Sequence, residues 1–180
     1  MKDLGELKYF LGIEVMRSKK GIKSALELIS DTSLSGAKLA NSSLEQNLKL
    51  TIVDYDNHMG KAGDEVLKDI SGYQRMIGNL IYLTITRPNI CFAVELLSKF
   101  MQHPKQSHLE VVRKVVRYIK RSPGMRIFLR RGSLAQVTAY YDSDWAACPN
   151  TRRSVTSYVI KMEDSLISWK SKKRHTVSRI

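Results

Sequence analysis

The sequence predicts an α+β chain, a small three-helix bundle followed by an antiparallel three-stranded meander. Between residues 70 and 119 apolar side chains recur at spacings of three and four, the period of helices with one buried face. Runs around 136 to 142, 154 to 162 and 166 to 170 read as short strands separated by polar breaks. Pro123-Gly124 stands between the two patterns and ends the helical one. With 180 residues and 43% hydrophobic content, the chain can bury a core in one or two domains.

The elements follow in order. Residues 40–68 have weak periodicity and many Asn, Ser, Asp and Lys residues, and read as a flexible link. Ile70, Tyr73, Ile77, Leu80 and Ile81 then form one apolar stripe, with Gly78 allowing a close neighbour. Ile90, Ala93, Val94, Leu97, Phe100 and Met101 form a second after Pro88, a residue suited to a first helical turn. Leu109, Val112, Val115, Val116 and Ile119 form the third. The aromatic and Met members of these stripes read as core. Met125-Arg126-Ile127-Phe128-Leu129 opens the strand-rich region, and Glu163-Asp164 fills a turn between its last two strands. The outer strand is expected to leave an apolar face and an edge partly unprotected.

Charge is concentrated in one place. The net charge is +13, and residues 105–133 carry nine basic residues against one acidic, Glu110. Arg113, Lys114, Arg117, Lys120 and Arg121 fall opposite the apolar stripe of the third helix. Such a face is either solvated or in contact with phosphates. Solvated faces usually mix Glu with Lys at four-residue spacing, so phosphate contact is favoured. Binding would then be weak, sequence-independent and salt-dependent, to duplex nucleic acid or an RNA/DNA hybrid.

Asp142 and Asp144 close the first strand-like run, and after them only Glu163 and Asp164 are acidic. A nuclease working through two Mg²⁺ ions needs several carboxylates converging from different elements. The pair therefore reads as half an active site, with Asp144 either a ligand or a solvated or capping loop residue. Other chemistry has little support. Cys91 and Cys148 fit no metal spacing and read as reduced thiols inside a cell. His58, His103, His108 and His175 are scattered and read as capping or exposed, and Gly60-Lys61 lacks a phosphate-binding Gly-rich run. No apolar run approaches the roughly 20 residues of a membrane span, and Met1 opens no cleavable targeting signature.

Four ordered blocks make the reading sharper: Asp142-Ser143-Asp144-Trp145-Ala146-Ala147-Cys148, Thr151-Arg152-Arg153-Ser154-Val155-Thr156-Ser157-Tyr158, Ile167-Ser168-Trp169-Lys170-Ser171-Lys172-Lys173 and Thr176-Val177-Ser178-Arg179. Together they resemble the start of the ribonuclease H domain of Ty1/copia-type retrotransposon Pol polyproteins. Upstream, Lys2-Asp3-Leu4-Gly5-Glu6-Leu7-Lys8-Tyr9-Phe10-Leu11-Gly12 resembles the segment after the reverse transcriptase catalytic strands. Tyr73-Gln74-Arg75-Met76-Ile77-Gly78-Asn79-Leu80, Thr86-Arg87-Pro88-Asn89-Ile90, His103-Pro104, Ser107-His108 and Arg117-Tyr118-Ile119-Lys120 resemble the helical region between polymerase and ribonuclease H.

The resemblance covers nearly the whole chain and implies an N-terminal strand or hairpin in which Leu11 and Gly12 grip the primer end. It implies that the meander is an incomplete ribonuclease H-like sheet, with Asp142 at the position of the first Mg²⁺-binding Asp. Residues 1–39 would be the end of the polymerase palm, 69–124 a thumb or connection, and 125–180 a truncated ribonuclease H-like domain, with 40–68 linking them.

The family's polymerase carries an Asp-Asp pair on a hairpin, and no Asp-Asp dipeptide occurs here. Its ribonuclease H continues with a Ser-Ser-Ala-Glu-Ala-Glu-Tyr helix, which does not follow Arg179. Against the family pattern, Asn89 replaces an Asp, Ser157 replaces a Gly, and several residues are missing after Lys23-Ser24, as in a decayed copy. The expectation is a catalytically inactive Pol fragment holding no Mg²⁺ stably, its Asp142 vestigial. Two alternatives stand beside it, a stand-alone nucleic-acid-binding protein using the basic helix, and an incomplete gene model of an active polyprotein.

Overall fold

A computed structural model describes residues 36–60, 63–125, 127, 136–144 and 148–174, with the backbone of 9–10 and 13–14. Strands β1 (Tyr9–Phe10) and β2 (Ile13–Glu14) form a two-stranded antiparallel ladder, Tyr9 opposite Glu14 and Phe10 opposite Ile13. Leu11, Gly12 and the family block at Thr176 to Arg179 lie outside the described residues.

Residues 40–68, read from sequence as a flexible link, contain helix α1 (Val53–His58) and place Leu50 and Leu67 in the core. Leu44 and Leu48 pack against that core. These leucines are buried by non-local contact, which leaves no regular period to read.

Helix α2 (Ile70–Thr84) begins where the Asp69 carboxylate accepts the Gly72 N–H at 2.8 Å, satisfying one of the orphan donors of a helix N-terminus. A Cβ at residue 72 would lie 2.1 Å from Asp69 Oδ2, so a larger residue there would make the Asp69 carboxylate shift. Tyr73, Ile77, Leu80 and Leu83 are buried. Ile81, assigned to the same stripe by its spacing, is 45% exposed instead, because it lies at the margin of the buried arc and Leu83 takes a core place. Pro88 opens a 3₁₀ turn (Pro88–Ile90) that leads into α3 (Cys91–Ser98). Arg87, 3% exposed, donates to the carbonyls of Ser122, at 3.0 Å, and of Pro123. Its charge thus sits at the C-terminal end of α4 (Gln106–Arg121), where the helix dipole favours a cation.

The five apolar residues expected on one face of α4 are all buried. Together α2, α3 and α4 enclose one core, cross-tied by the Tyr73 hydroxyl donating to Leu97 O at 2.9 Å and Gln74 Nε2 to Met101 O at 3.0 Å.

A polar node closes the start of α4. Lys105 is 2% exposed, and its ammonium donates to Asp56, to Asp64 at 2.9 Å and to Thr51 Oγ1 at 3.2 Å. Asp64 also caps the helix, accepting the Ser107 N–H at 3.1 Å and the Ser107 hydroxyl at 2.7 Å. His108, fully buried, accepts the Lys105 N–H at Nδ1, 3.1 Å, and faces Thr51 O with Nε2 at 3.2 Å. The reading of His108 as a capping residue holds here, whereas His103 is exposed.

Strands β3 (Val137–Ser143), β4 (Val155–Met162) and β5 (Ser165–Lys173) form an antiparallel sheet in that order, a meander as expected. Glu163, at φ 51°, turns β4 into β5, and its backbone N–H donates to Gln136 O at 3.0 Å. Ser157, where the family resemblance expects Gly, meets Ser171 across the ladder at 2.9 Å. Among the described residues, two hydrogen-bonded contacts join the sheet region to the helical region. Trp169 Nε1 donates to Thr84 O at 3.0 Å, and the Asn150 amide donates to Leu50 O at 3.3 Å and accepts the Ile52 N–H at 3.2 Å.

Two outcomes follow from the node. Burial and the neighbouring Lys105 charge push the His108 imidazole down to about 4 from 6.5, so between those values the unfolded chain binds a proton that the folded one refuses. Hydrogen bonds from Lys105 and Thr51 hold the Asp56 carboxyl below its ordinary range, a contribution present at neutral pH and lost only as pH falls through the folded value. Stability should therefore drop by about 3 kcal/mol between pH 7 and 4 through His108, and further below that through Asp56. Urea titrations at several pH values check this, and a His108→Asn variant should lose the upper part of the slope. Lys105→Ala, which leaves the buried Asp56 and the half-buried Asp64 without their cation, should cost about 3 kcal/mol by the same measurement.

Candidate nucleic-acid interface

The five basic residues singled out on α4 do not share one environment. Residues 37–51 run along the helix from its C-terminal to its N-terminal end. Lys120 Nζ donates to Ala37 O at 2.9 Å, the Ala40 N–H to Arg117 O at 3.5 Å, Arg121 Nη1 to Asn41 Oδ1 at 2.6 Å, and Lys114 Nζ to Glu45 Oε1 at 2.7 Å. The Lys114 hydrogen bond and charge hold the Glu45 carboxyl below its usual value. Both lysines are therefore occupied in holding this strap.

The three arginines differ. Arg113 and Arg121 are exposed and Arg117 is half-buried. None of the three forms an ion pair among the described residues, and Arg121 meets only a neutral amide. Arg117 Nε is buried without a hydrogen-bond partner among those residues, a position that costs free energy unless an acceptor arrives. At spacings of four they form a line along one side of the helix, about 6 Å per step. Lys105 belongs to the same basic stretch in sequence but is buried against Asp56 and Asp64, which takes it out of the surface field.

The other sequence-derived site lies at the end of the sheet. Asp142 is exposed on β3 opposite Ser157. Asp144 Oδ1 accepts the Val155 N–H at 2.5 Å while the Asp144 N–H donates to Val155 O at 3.1 Å, so this carboxylate is used as a backbone clamp. Glu163 Oε1 accepts the Gln136 N–H at 3.1 Å, a turn role. Among the described residues no three His, Cys, Asp or Glu side chains come together as a metal site. Mg²⁺ is commonly bound through one or two carboxylates with waters completing its octahedron, and Asp142 offers one such exposed carboxylate. Cys91 and Cys148 are free and half-buried. Burial raises the Cys91 thiol; at Cys148 burial acts the same way, but hydrogen bonds from Thr151, at 3.3 Å, and Lys173 bring the thiol below its ordinary value.

Sequence reasoning missed the strap and the Lys105 node. Asp56 and Asp64 stand among other acidic residues, Glu45, Asp54 and Glu65, in a polar segment, and nothing local singles them out or pairs them with a lysine 49 and 41 residues away.

Comparison with known proteins bears on the family. The chain is 34% identical over 99% of its length to a retrovirus-related Pol polyprotein from transposon RE1 of Arabidopsis thaliana, and 29% identical over the same share to one from transposon TNT 1-94 of Nicotiana tabacum. It spans 12% and 14% of those proteins. An uncharacterized mitochondrial protein of Arabidopsis thaliana is 31% identical over 99% of the chain, which covers 72% of that relative. No family model and no solved structure matches. The likeness runs through the helical region and the sheet alike, in agreement with the ordered motifs, and the chain belongs to the Ty1/copia-type retrotransposon Pol polyprotein family.

Proposed function

We propose that the chain forms the part of a copia-type Pol polyprotein that connects polymerase to ribonuclease H and holds nucleic acid there, without polymerase or ribonuclease H chemistry of its own. One observation carries the reading: Arg113, Arg117 and Arg121 line one side of α4 with no carboxylate partner among the described residues, on a helix braced by the strap. Guanidinium groups in a row suit successive phosphates, which they bind bidentately. The contact is sequence-independent, because phosphates position a protein on a duplex and only base edges specify.

The ribonuclease H-like character of the meander belongs to the same reading. It is supported by the order of the motifs and by the β3-β4-β5 sheet, with Asp142 on its first strand. Mg²⁺, when bound in the parent enzymes, supplies charge neutralisation and an activated water. Asp142 would give one oxygen toward it, and these 180 residues themselves contain no Asp-Asp dipeptide.

Two expected outcomes test this. The purified chain should neither extend a primer nor cleave an RNA/DNA hybrid with Mg²⁺ or Mn²⁺; hybrid hydrolysis that an Asp142→Asn substitution abolishes would refute the non-catalytic reading. Binding to duplex or hybrid should weaken steeply with salt, log K against log salt sloping by roughly −0.9 per duplex phosphate neutralised. An Arg113→Ala, Arg117→Ala double variant should flatten that slope by about two units. A merely solvated helix face predicts little binding at physiological salt and an unchanged slope.

A further inference from the structure

The meander has two faces, and one of them is turned to the helices. Val155 is 8% exposed and Trp169 reaches Thr84 O from that side. On the opposite face the register is informative. Tyr141 is directly across from Tyr158, and Tyr158 is directly across from Lys170. Direct cross-strand partners project to the same side of a sheet, so these three residues form a row spanning all three strands. The next row is Ser143, Thr156 and Lys172. Arg174 joins it, donating from Nε to Thr156 Oγ1 at 2.9 Å.

These groups are open to solvent. Tyr141 is 84% and Tyr158 36% exposed, and Lys170, Lys172 and Arg174 are exposed as well. Neither row contains a carboxylate, since Asp142 alternates to the other face. An aromatic ring that is 84% exposed in the middle of a strand adds almost nothing to folding by burial.

We propose that this face is a platform for single-stranded nucleic acid, with bases stacking on Tyr141 and Tyr158 and the strand's phosphates on Lys170, Lys172 and Arg174. Aromatic rings accept any base, because every base has a π-face, and flanking cations follow the backbone. Bases within a duplex are already stacked on one another, so the platform selects unpaired strands. Charge complementarity decides the occupant. A second copy of this chain, at net charge +13, would set the same cations against each other. A nucleic-acid strand brings one anion per nucleotide. The proposal goes beyond phosphate contact by α4, which needs no bases and favours the duplex.

The test is anisotropy of a labelled oligothymidylate of about 12 nucleotides titrated with the full chain. Tyr141→Ala, Tyr158→Ala should weaken binding by about tenfold or more while leaving the salt slope unaltered, because no charge is removed. The corresponding Phe pair should retain affinity, and Lys170→Ala, Lys172→Ala should flatten the slope by about 1.4 units on single strands. Unchanged affinity in the alanine pair would overturn the proposal. So would a concentration-dependent dimer, seen by sedimentation, that the alanine pair dissolves, since the face would then belong to a second copy. Loss of the folding transition in the alanine pair would also overturn it by making the rings structural. The α4 double variant, run alongside, should lose duplex affinity yet keep the tyrosine effect, which separates this platform from the helix reading.

Discussion

The buried ammonium of Lys105 is the constraint on which the described helical region depends. An ammonium has three donors and no acceptor, and here three acceptors meet it: Thr51 Oγ1, Asp56 Oδ2 and Asp64 Oδ2. All three come from residues 51–64, whereas Lys105 opens α4. The match fixes where the chain before α2 crosses the end of the last helix. Burying charge is expensive, and a well-packed apolar replacement is often as stable. What the ion network supplies is position. Burial alone would lower the Lys105 ammonium, but Asp56 and Asp64 hold it above its ordinary value, so it stays charged and the carboxylates stay anchored.

That anchoring reaches the basic helix. From Thr51, which meets His108 and Lys105, the chain runs back along α4 to Ala37 beside Lys120. The strap takes up Lys114 and Lys120, compact flexible charges that can turn toward a carboxylate or a carbonyl. The arginines carry planar donor forks, and none of the three meets a carboxylate among the described residues, although Arg121 lends Nη1 to Asn41. A face that looks uniform in sequence is thus divided by partner chemistry. Composition could locate the excess of charge but could not divide it.

The helices were legible where burial is periodic. Tyr73, Ile77 and Leu80, Ala93, Val94 and Leu97, and the five residues of α4 all lie in the core, since a helix on one core buries one stripe. Ile81 departs because spacing defines an arc and not its edges. The strands were legible from β-rich runs and a polar turn, yet β5 extends to Lys173, past the expected end at 170. Its last residues, Lys170-Ser171-Lys172-Lys173, carry no apolar signal, although they pair with β4 throughout. Lys105, Asp56 and Asp64 were illegible for a different reason. Each is an ordinary surface residue by type, and only contacts between residues 49 and 41 positions apart make it otherwise. Asp144 shows the local version: two carboxylates one residue apart look alike, and the backbone of Val155 takes one of them.

The junction of sheet and helices follows from the same rule that unsatisfied polar groups are costly when buried. The last carbonyls of a helix have no partner within it, and an indole N–H can only donate. Thr84 O, at the end of α2, and Trp169 Nε1 remove each other's deficit at 3.0 Å. Asn150 does the same on the other side, using amide donor and acceptor together on the backbone of residues 50 and 52. Because Leu50 is itself in the core and Thr51 touches Lys105, this second clip ends one residue from the buried ammonium. The buried ammonium thus stands where two runs of direct contact meet, one along the strap to Lys114 and Lys120 and the other through Asn150 to the sheet region.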